Sequence, residues 1–191
     1  MCYDIFIMLT IGQIKRGQAI VYQGEPYIVT DSSHSKQGRA GAVLRTKIKN
    51  LRSSNVLEVT FQGNDKIDEA DLVYRKCQFL YPDENSVYFM DPNFEQFGLS
   101  REVAEESLKY LKEGQSVDIA FWEGAPVTIK LPPKVDLEVS EAAPAVRGDT
   151  ANNASKIVKL ETGLEVSVPM FIKEGDIIRL NTETSAYVER V

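Results

Sequence analysis

Apolar and polar residues alternate with a period of two along most of this chain, and only one stretch keeps a helical period. AIVYQGEPYIV at 19–29 reads as two strand runs about a turn at Gly24-Glu25. VLEVTF at 56–61 sets Leu57, Val59 and Phe61 against Val56, Glu58 and Thr60, as a half-buried strand would. In AVLRTKIKN at 42–50 the same period puts Leu44, Thr46 and Ile48 on one face and Arg45, Lys47 and Lys49 on the other. One face packs; the other is a basic stripe.

Further on, YRKCQFLYPDENSVYFMDP at 74–92 is two aromatic-rich strands joined by the turn residues Pro82, Asp83, Glu84 and Asn85. REVAEESLKYLKE at 101–113 is the one convincing helix, with Ser100 as candidate cap, Val103, Ser107, Leu108 and Leu111 on one face, and Gly114 as its stop. VDIAFW and PVTIKL then flank Glu123-Gly124-Ala125 as a hairpin, and β character returns in VDLEVSE, KIVKL, LEVSVPMFI and DIIRLNT. Trp122, beside a turn, is expected to pack a core. Pro132-Pro133 and the acidic NDKIDEAD at 64–71 punctuate the chain and suggest three pieces, 1–71, 72–136 and 137–191. Pieces of this size remove their sheet edges most simply as small barrels.

Composition narrows the class. With 191 residues, 43% hydrophobic and 26% charged, the chain is an ordinary globular one. Cys2 and Cys77 are too few and too far apart for a disulfide framework or a zinc site, and a reducing cytoplasm is the simplest compartment. MCYDIFIMLTIG lacks the charged start and cleavage site of a signal peptide, and no apolar run reaches membrane-spanning length. Residues 1–7 read as an extension ahead of a start at Met8. His34, the only histidine, is expected in a polar, exposed loop without metal or triad partners, and no carboxylate pair stands out, so no enzyme constellation is visible.

Charge changes the picture more. The net charge is −6, yet from Ser32 to Leu57 there are six bases (Lys36, Arg39, Arg45, Lys47, Lys49 and Arg52) and no acid. A solvated strand face is the ordinary explanation of a charge run. The alternative is RNA or phosphate contact, with the small-residue loop SKQGRAG carrying one cation into a polyanionic crevice and the stripe behind it meeting phosphates.

The C-terminal run from Lys156 to Arg190 carries Gly163, Val168-Pro169, Phe171, Gly175, Asp176, Asn181-Thr182, Tyr187 and Arg190. With AVRGDT at 145–150, FMDPNFEQ at 89–96, WEGAPVTIKLPPKVDLEV at 122–139 and GEPYIV at 24–29, it resembles bacterial translation elongation factor P from about Thr10 to Val191. The boundaries at 71 and 136 are drawn with that family's plan in view. The resemblance implies a mainly β protein: an SH3-like, KOW-type barrel, then two OB-type barrels, with one short helix in the second and an elongated, tRNA-like outline. It also implies a cytoplasmic, monomeric, non-enzymatic factor that binds ribosomal RNA between the P and E sites and promotes peptide bonds at consecutive prolines by positioning the CCA end of the P-site peptidyl-tRNA. A paralogue of the factor, or another OB-type RNA-binding module that does not act at proline stalls, is the alternative.

On this resemblance Arg39 is the tip of the loop that reaches the CCA end, with Lys36, Gly38, Arg45, Lys47 and Lys49 as RNA contacts. Relatives carry either an extended lysine or a rhamnose-bearing arginine at the tip. Arg39 is of the arginine type, which would make an arginine-modifying glycosyltransferase a partner. Gln37 and Ala40 depart from the Ser-Gly-Arg-Asn pattern of the rhamnosylated group, so a bare arginine stays open. No other cofactor or metal is implied. Gly148, Asp149 and Thr150 match the loop that lies near the E-site mRNA codon, against a plain turn as the simpler reading. Tyr187 and Arg190 are either core and surface residues of a last strand or tRNA contacts.

Overall fold

A computed structural model of the chain describes residues 8–36, 42–63, 65–142 and 155–191. Residues 1–7, read above as an extension, lie outside them. The described strands form three antiparallel sheets that follow one another along the chain.

The first sheet contains β1 (Met8–Leu9), β2 (Ala19–Tyr22), β3 (Glu25–Lys36), β4 (Ala42–Asn50), β5 (Val56–Gln62) and β6 (Ile67–Glu69), in the order β1-β6-β2-β3-β4-β5. Its β2–β3 turn is Gln23-Gly24, one residue earlier than expected. Both residues have positive φ, 53° and 78°, as a two-residue turn matched to strand twist requires. Ile14, Ile20, Val29, Leu44, Ile48 and Phe61 fill the core. In β5 only Phe61 is buried, while Val56 and Leu57 stay exposed, because β5 is an edge strand with no neighbour to cover its start.

The second sheet is β7 (Val73–Pro82), β8 (Ser86–Met90), β9 (Gln96–Ser100), β10 (Ser116–Trp122) and β11 (Ala125–Lys130), in the order β11-β10-β7-β8-β9. Its ends, β11 and β9, approach each other around Phe79, Phe89, Ile119 and Phe121. Helix α1 (Arg101–Leu108) is shorter than expected and buries Ala104. After it the chain tightens, Tyr110 and Leu111 donating their amides to the Ser107 and Leu108 carbonyls three residues back. Ser100 makes no capping bond with its side chain; instead the Arg101 amide donates to the Asn85 carbonyl.

The third sheet is β12 (Lys134–Ala142), β13 (Ser155–Leu160), β14 (Glu165–Pro169), β15 (Ile177–Asn181) and β16 (Tyr187–Arg190), in the order β14-β13-β12-β15-β16. Lys134, Val135 and Asp136 already pair with Asn181, Leu180 and Arg179, so sheet membership changes just after Pro132-Pro133, a little before residue 136. The prolines explain the position, since neither has an N–H for a ladder.

Two seams join the sheets. Strand β10 is buried on both faces: Val117, Ile119 and Phe121 enter its own barrel core, while Ala120 and Trp122 join Leu51, Ala70 and Val127 in a separate cluster against Ala19, Val21 and Ile28 of the first sheet. Trp122 is 8% exposed, with the Arg52 guanidinium 5.1 Å from its ring centre. At the other end, Tyr110 leaves the second domain and packs in the third domain's core with Leu137, Leu180 and Ile178. Its hydroxyl lies 2.6 Å from that of Ser185, the Thr162 hydroxyl donates to the Lys109 carbonyl, and Lys112 pairs with Glu161.

Trp122→Ala is expected to cost about 3 to 5 kcal/mol in urea denaturation, and to split unfolding into separable transitions, because the lost ring belongs to a seam. Acid tests a second contact. Arg179 bonds both oxygens of Asp136 at 2.7 and 2.9 Å, and these hydrogen bonds hold the Asp136 carboxyl below its usual range. Its contribution is present above the unfolded carboxylate value of about 3.9 and is lost as pH falls through the lowered folded value. Asp136→Asn should therefore lower stability at pH 7 and flatten the stability loss below about pH 4, read by thermal melting across pH.

Candidate RNA interface

Strands β3 and β4 form the longest hairpin of the first sheet, paired from Tyr27↔Asn50 to Lys36↔Ala42. At about 3.4 Å per residue the nine residues of β4 span roughly 30 Å. The alternation expected along β4 is present: Leu44, Thr46 and Ile48 are buried, and Arg45 and Lys47 are exposed with Lys49 half-buried. Thr46, a polar residue turned inward, donates its hydroxyl to the Val59 carbonyl. Its burial is thereby offset, and the strand keeps its register.

The three bases of the outer face differ in what surrounds them. Lys47 pairs with Glu58 at 3.2 Å, its directly opposite neighbour on β5. Lys49 reaches Glu106 of α1 at 3.9 Å. Arg45 lies opposite Thr60 and Ser33 and has no ion pair among the described residues. Both pairs are largely exposed and so are weak, contributing on the order of 1 kcal/mol or less. A phosphate can displace either carboxylate at small cost. Arg52, the last base of the run, is turned away onto Trp122 and Glu25 and serves the seam.

Lys36 is the last residue of β3, at the far end of the hairpin. Gly38 and Arg39, assigned to the loop tip, lie outside the described residues, as do Gly148, Asp149 and Thr150 between β12 and β13. Of the C-terminal pair, Tyr187 is half-buried against the third domain's core opposite Leu180. Arg190 is exposed, 3.7 Å from Asp176, with its guanidinium 5.8 Å from the ring centre of the exposed Phe171. Tyr187 therefore anchors while Arg190 is presented. His34, expected in a loop, is an exposed residue of β3 opposite Leu44.

Burial pushes the Cys77 thiol up from its usual value, leaving it protonated and unreactive. Among the described residues no three His, Cys, Asp or Glu side chains gather as metal ligands, and no helix is long and apolar enough to cross a membrane. One loop was missed as a structural device. Asp91 accepts hydrogen bonds from the Glu95 and Asn93 amides, which hold its carboxyl below the usual range. The turn it closes carries Phe94 at φ 66° with its ring in solvent. A side chain bonding its own turn is the signal that DPN in FMDPNFEQ offered.

Comparison with known proteins agrees with this architecture. Three family descriptions match consecutively: the elongation factor P KOW-like domain over residues 10–67, the elongation factor P OB domain over 72–129, and the elongation factor P C-terminal domain over 135–190. Elongation factor P of Thermotoga petrophila is 43% identical over 184 residues, which cover 96% of this chain and 100% of that one. That of Natranaerobius thermophilus is 42% identical over 185 residues, covering 96% and 98%. Among solved structures, eukaryotic translation initiation factor 5A from Methanococcus jannaschii shares the fold with a TM-score of 0.53 at 24% identity, covering 68% of this chain and 96% of that one. With matched domains along nearly its whole length and relatives above 40% identity, the chain belongs to the elongation factor P family of translation factors.

Proposed function

We propose that this chain binds the ribosome between the P and E sites and promotes peptide-bond formation at consecutive prolines by ordering the CCA end of the P-site tRNA. The observation that carries the reading is the β3–β4 hairpin, whose outer face holds Arg45, Lys47 and Lys49, with Arg39 in the sequence that joins its two strands. Cations two residues apart on a strand stand about 7 Å from one another, a ladder that a phosphate backbone can follow. Ribosomal RNA and the tRNA acceptor end are the partners such a ladder suits. The work is cytoplasmic, and the factor acts as a monomer.

The chemistry needs little from the protein beyond position. Proline's ring fixes φ and makes its nitrogen a constrained secondary amine, so alignment with the ester carbon is rarely reached. Ordering the CCA end removes part of that entropic barrier, and the ribosome's own centre performs the reaction. Arg39 is the contact at the tip, bare or bearing a rhamnose added by a glycosyltransferase. Gly148, Asp149 and Thr150 would face the E-site codon, and Tyr187 and Arg190 the tRNA.

In a reporter encoding consecutive prolines, Arg39→Ala should reduce stall rescue to the level without the factor. Ribosome affinity should fall less than about tenfold, one contact of about 1.4 kcal/mol or less in a large interface. Equal loss of rescue and binding would contradict the tip role. Binding to free single strands but not to ribosomes would favour the other OB-type module. Peptide mass at Arg39 from the native source separates a deoxyhexose from a bare side chain. Along the stripe, Arg45→Met should lower the salt dependence of ribosome binding more than Lys47→Met, because Lys47 must first release Glu58.

A further inference from the structure

Between the first and second domains lies a groove of about 340 Å³, open to solvent. One wall is Lys49 and Ser54 of the first domain; the other includes Tyr74, Thr128 and Lys130 of the second. Tyr74, Ala120 and Thr128 stand in one row across β7, β10 and β11, so a small residue lies between a ring and a hydroxyl. The methyl of Ala120 is what lets the first domain approach here, and the groove remains where the larger neighbours hold it off.

The charge in this groove is unusual for its domain. Residues 72–136 hold 7 bases and 11 acids, yet among the described residues the ionised groups lining the groove are Lys49 and Lys130 alone. Lys130 faces Asp118 across the ladder but forms no ion pair among the described residues; its ammonium lies 4.5 Å from the centre of the Tyr74 ring. The ring holds that ammonium over the groove without neutralising it. Lys49 has only the long, exposed pair with Glu106. Glu69 and Asp71 line a neighbouring cavity that shares Gly17, Leu72 and Tyr74 with this one, so an anion is repelled from that side and drawn to the two lysines. Ser54 and Thr128 add hydroxyl donors.

We infer that this interdomain groove is a second RNA site, in which Lys49 and Lys130 hold consecutive phosphates of one backbone and Ser54 and Thr128 donate to its oxygens. It rests on the proposed ribosomal role and extends it: the basic face of β4 continues through Lys49 onto the second domain. A backbone seated there touches both domains at once. It would hold the angle between them as well as adding affinity.

The test uses the whole protein and purified ribosomes, with the P site either empty or holding tRNA. Lys130→Met and Lys49→Met keep the aliphatic stems; Lys130→Met is expected to lower the slope of log affinity against log salt by about 0.7 to 0.9, and Lys49→Met by a smaller amount because its ammonium must first leave Glu106, both with an unchanged melting temperature. In wild-type protein, amine-reactive labelling of Lys130 should fall several-fold on the ribosome, a readout that needs no variant. A deficit confined to tRNA-bearing ribosomes assigns the backbone to tRNA; one present in both assigns it to ribosomal RNA. Unchanged slopes and undiminished labelling overturn the groove site. If Arg45→Met lowers the slope in that case, the ribosomal reading stands without the groove; if the protein binds no ribosome, both fall.

Discussion

The double burial of β10 is the constraint on which the arrangement of this protein rests. Most strands of a small barrel show one face to a core and the other to water, but β10 shows Ile119 and Phe121 to its own barrel and Ala120 and Trp122 to the neighbouring one. A strand used in this way cannot move relative to either domain without exposing a large apolar surface. Trp122 thereby fixes where the first domain stands, and with it the direction of the β3–β4 hairpin. Tyr110 does the same for the third domain by lending a ring to a core that is not its own. Three domains too small to be rigid partners by themselves are held by side chains exchanged across two seams.

The fold was largely legible in the chain, because strand alternation and turn chemistry are local. Leu44, Thr46 and Ile48 against Arg45, Lys47 and Lys49 came out as the pattern required. So did the hairpin at Pro82–Asn85. Seams are another matter. Trp122 reads as a core residue, and nothing in its neighbours says that the core is shared. Helix α1 ends at Leu108 although the helical period runs on, because Tyr110 is drawn into the third domain, a tertiary preference that overrides propensity. The candidate site was legible to a similar limit. A run of six bases can be counted, but that Arg52 is committed to a tryptophan and that Lys47 and Lys49 carry carboxylates opposite them depends on strands and a helix far along the chain. Tyr74 and Lys130 carried no signal at all, being ordinary strand residues until a second domain is laid beside them.

In the proposed role, these side chains also account for how an acidic protein would present a surface for RNA. The bulk of the negative charge lies in the second and third domains, and the first is close to neutral. Long-range attraction to a polyanion is therefore weak. Recognition of RNA would have to come from contact, which suits the proposed role of fitting one crevice of a large RNA machine and avoiding the rest of the cell's nucleic acid.

The Lys47–Glu58 and Lys49–Glu106 pairs carry a consequence for timing. Each cation brings its own counterion, tethered to the protein and unable to diffuse away when a phosphate takes its place. The displaced carboxylate stays within a few ångströms of the bound backbone, repelling it and ready to reclaim the lysine. Some affinity is given up, and the dwell time shortens accordingly. In the proposed role, where the factor leaves after a single bond has formed, such an interface would carry its own eviction.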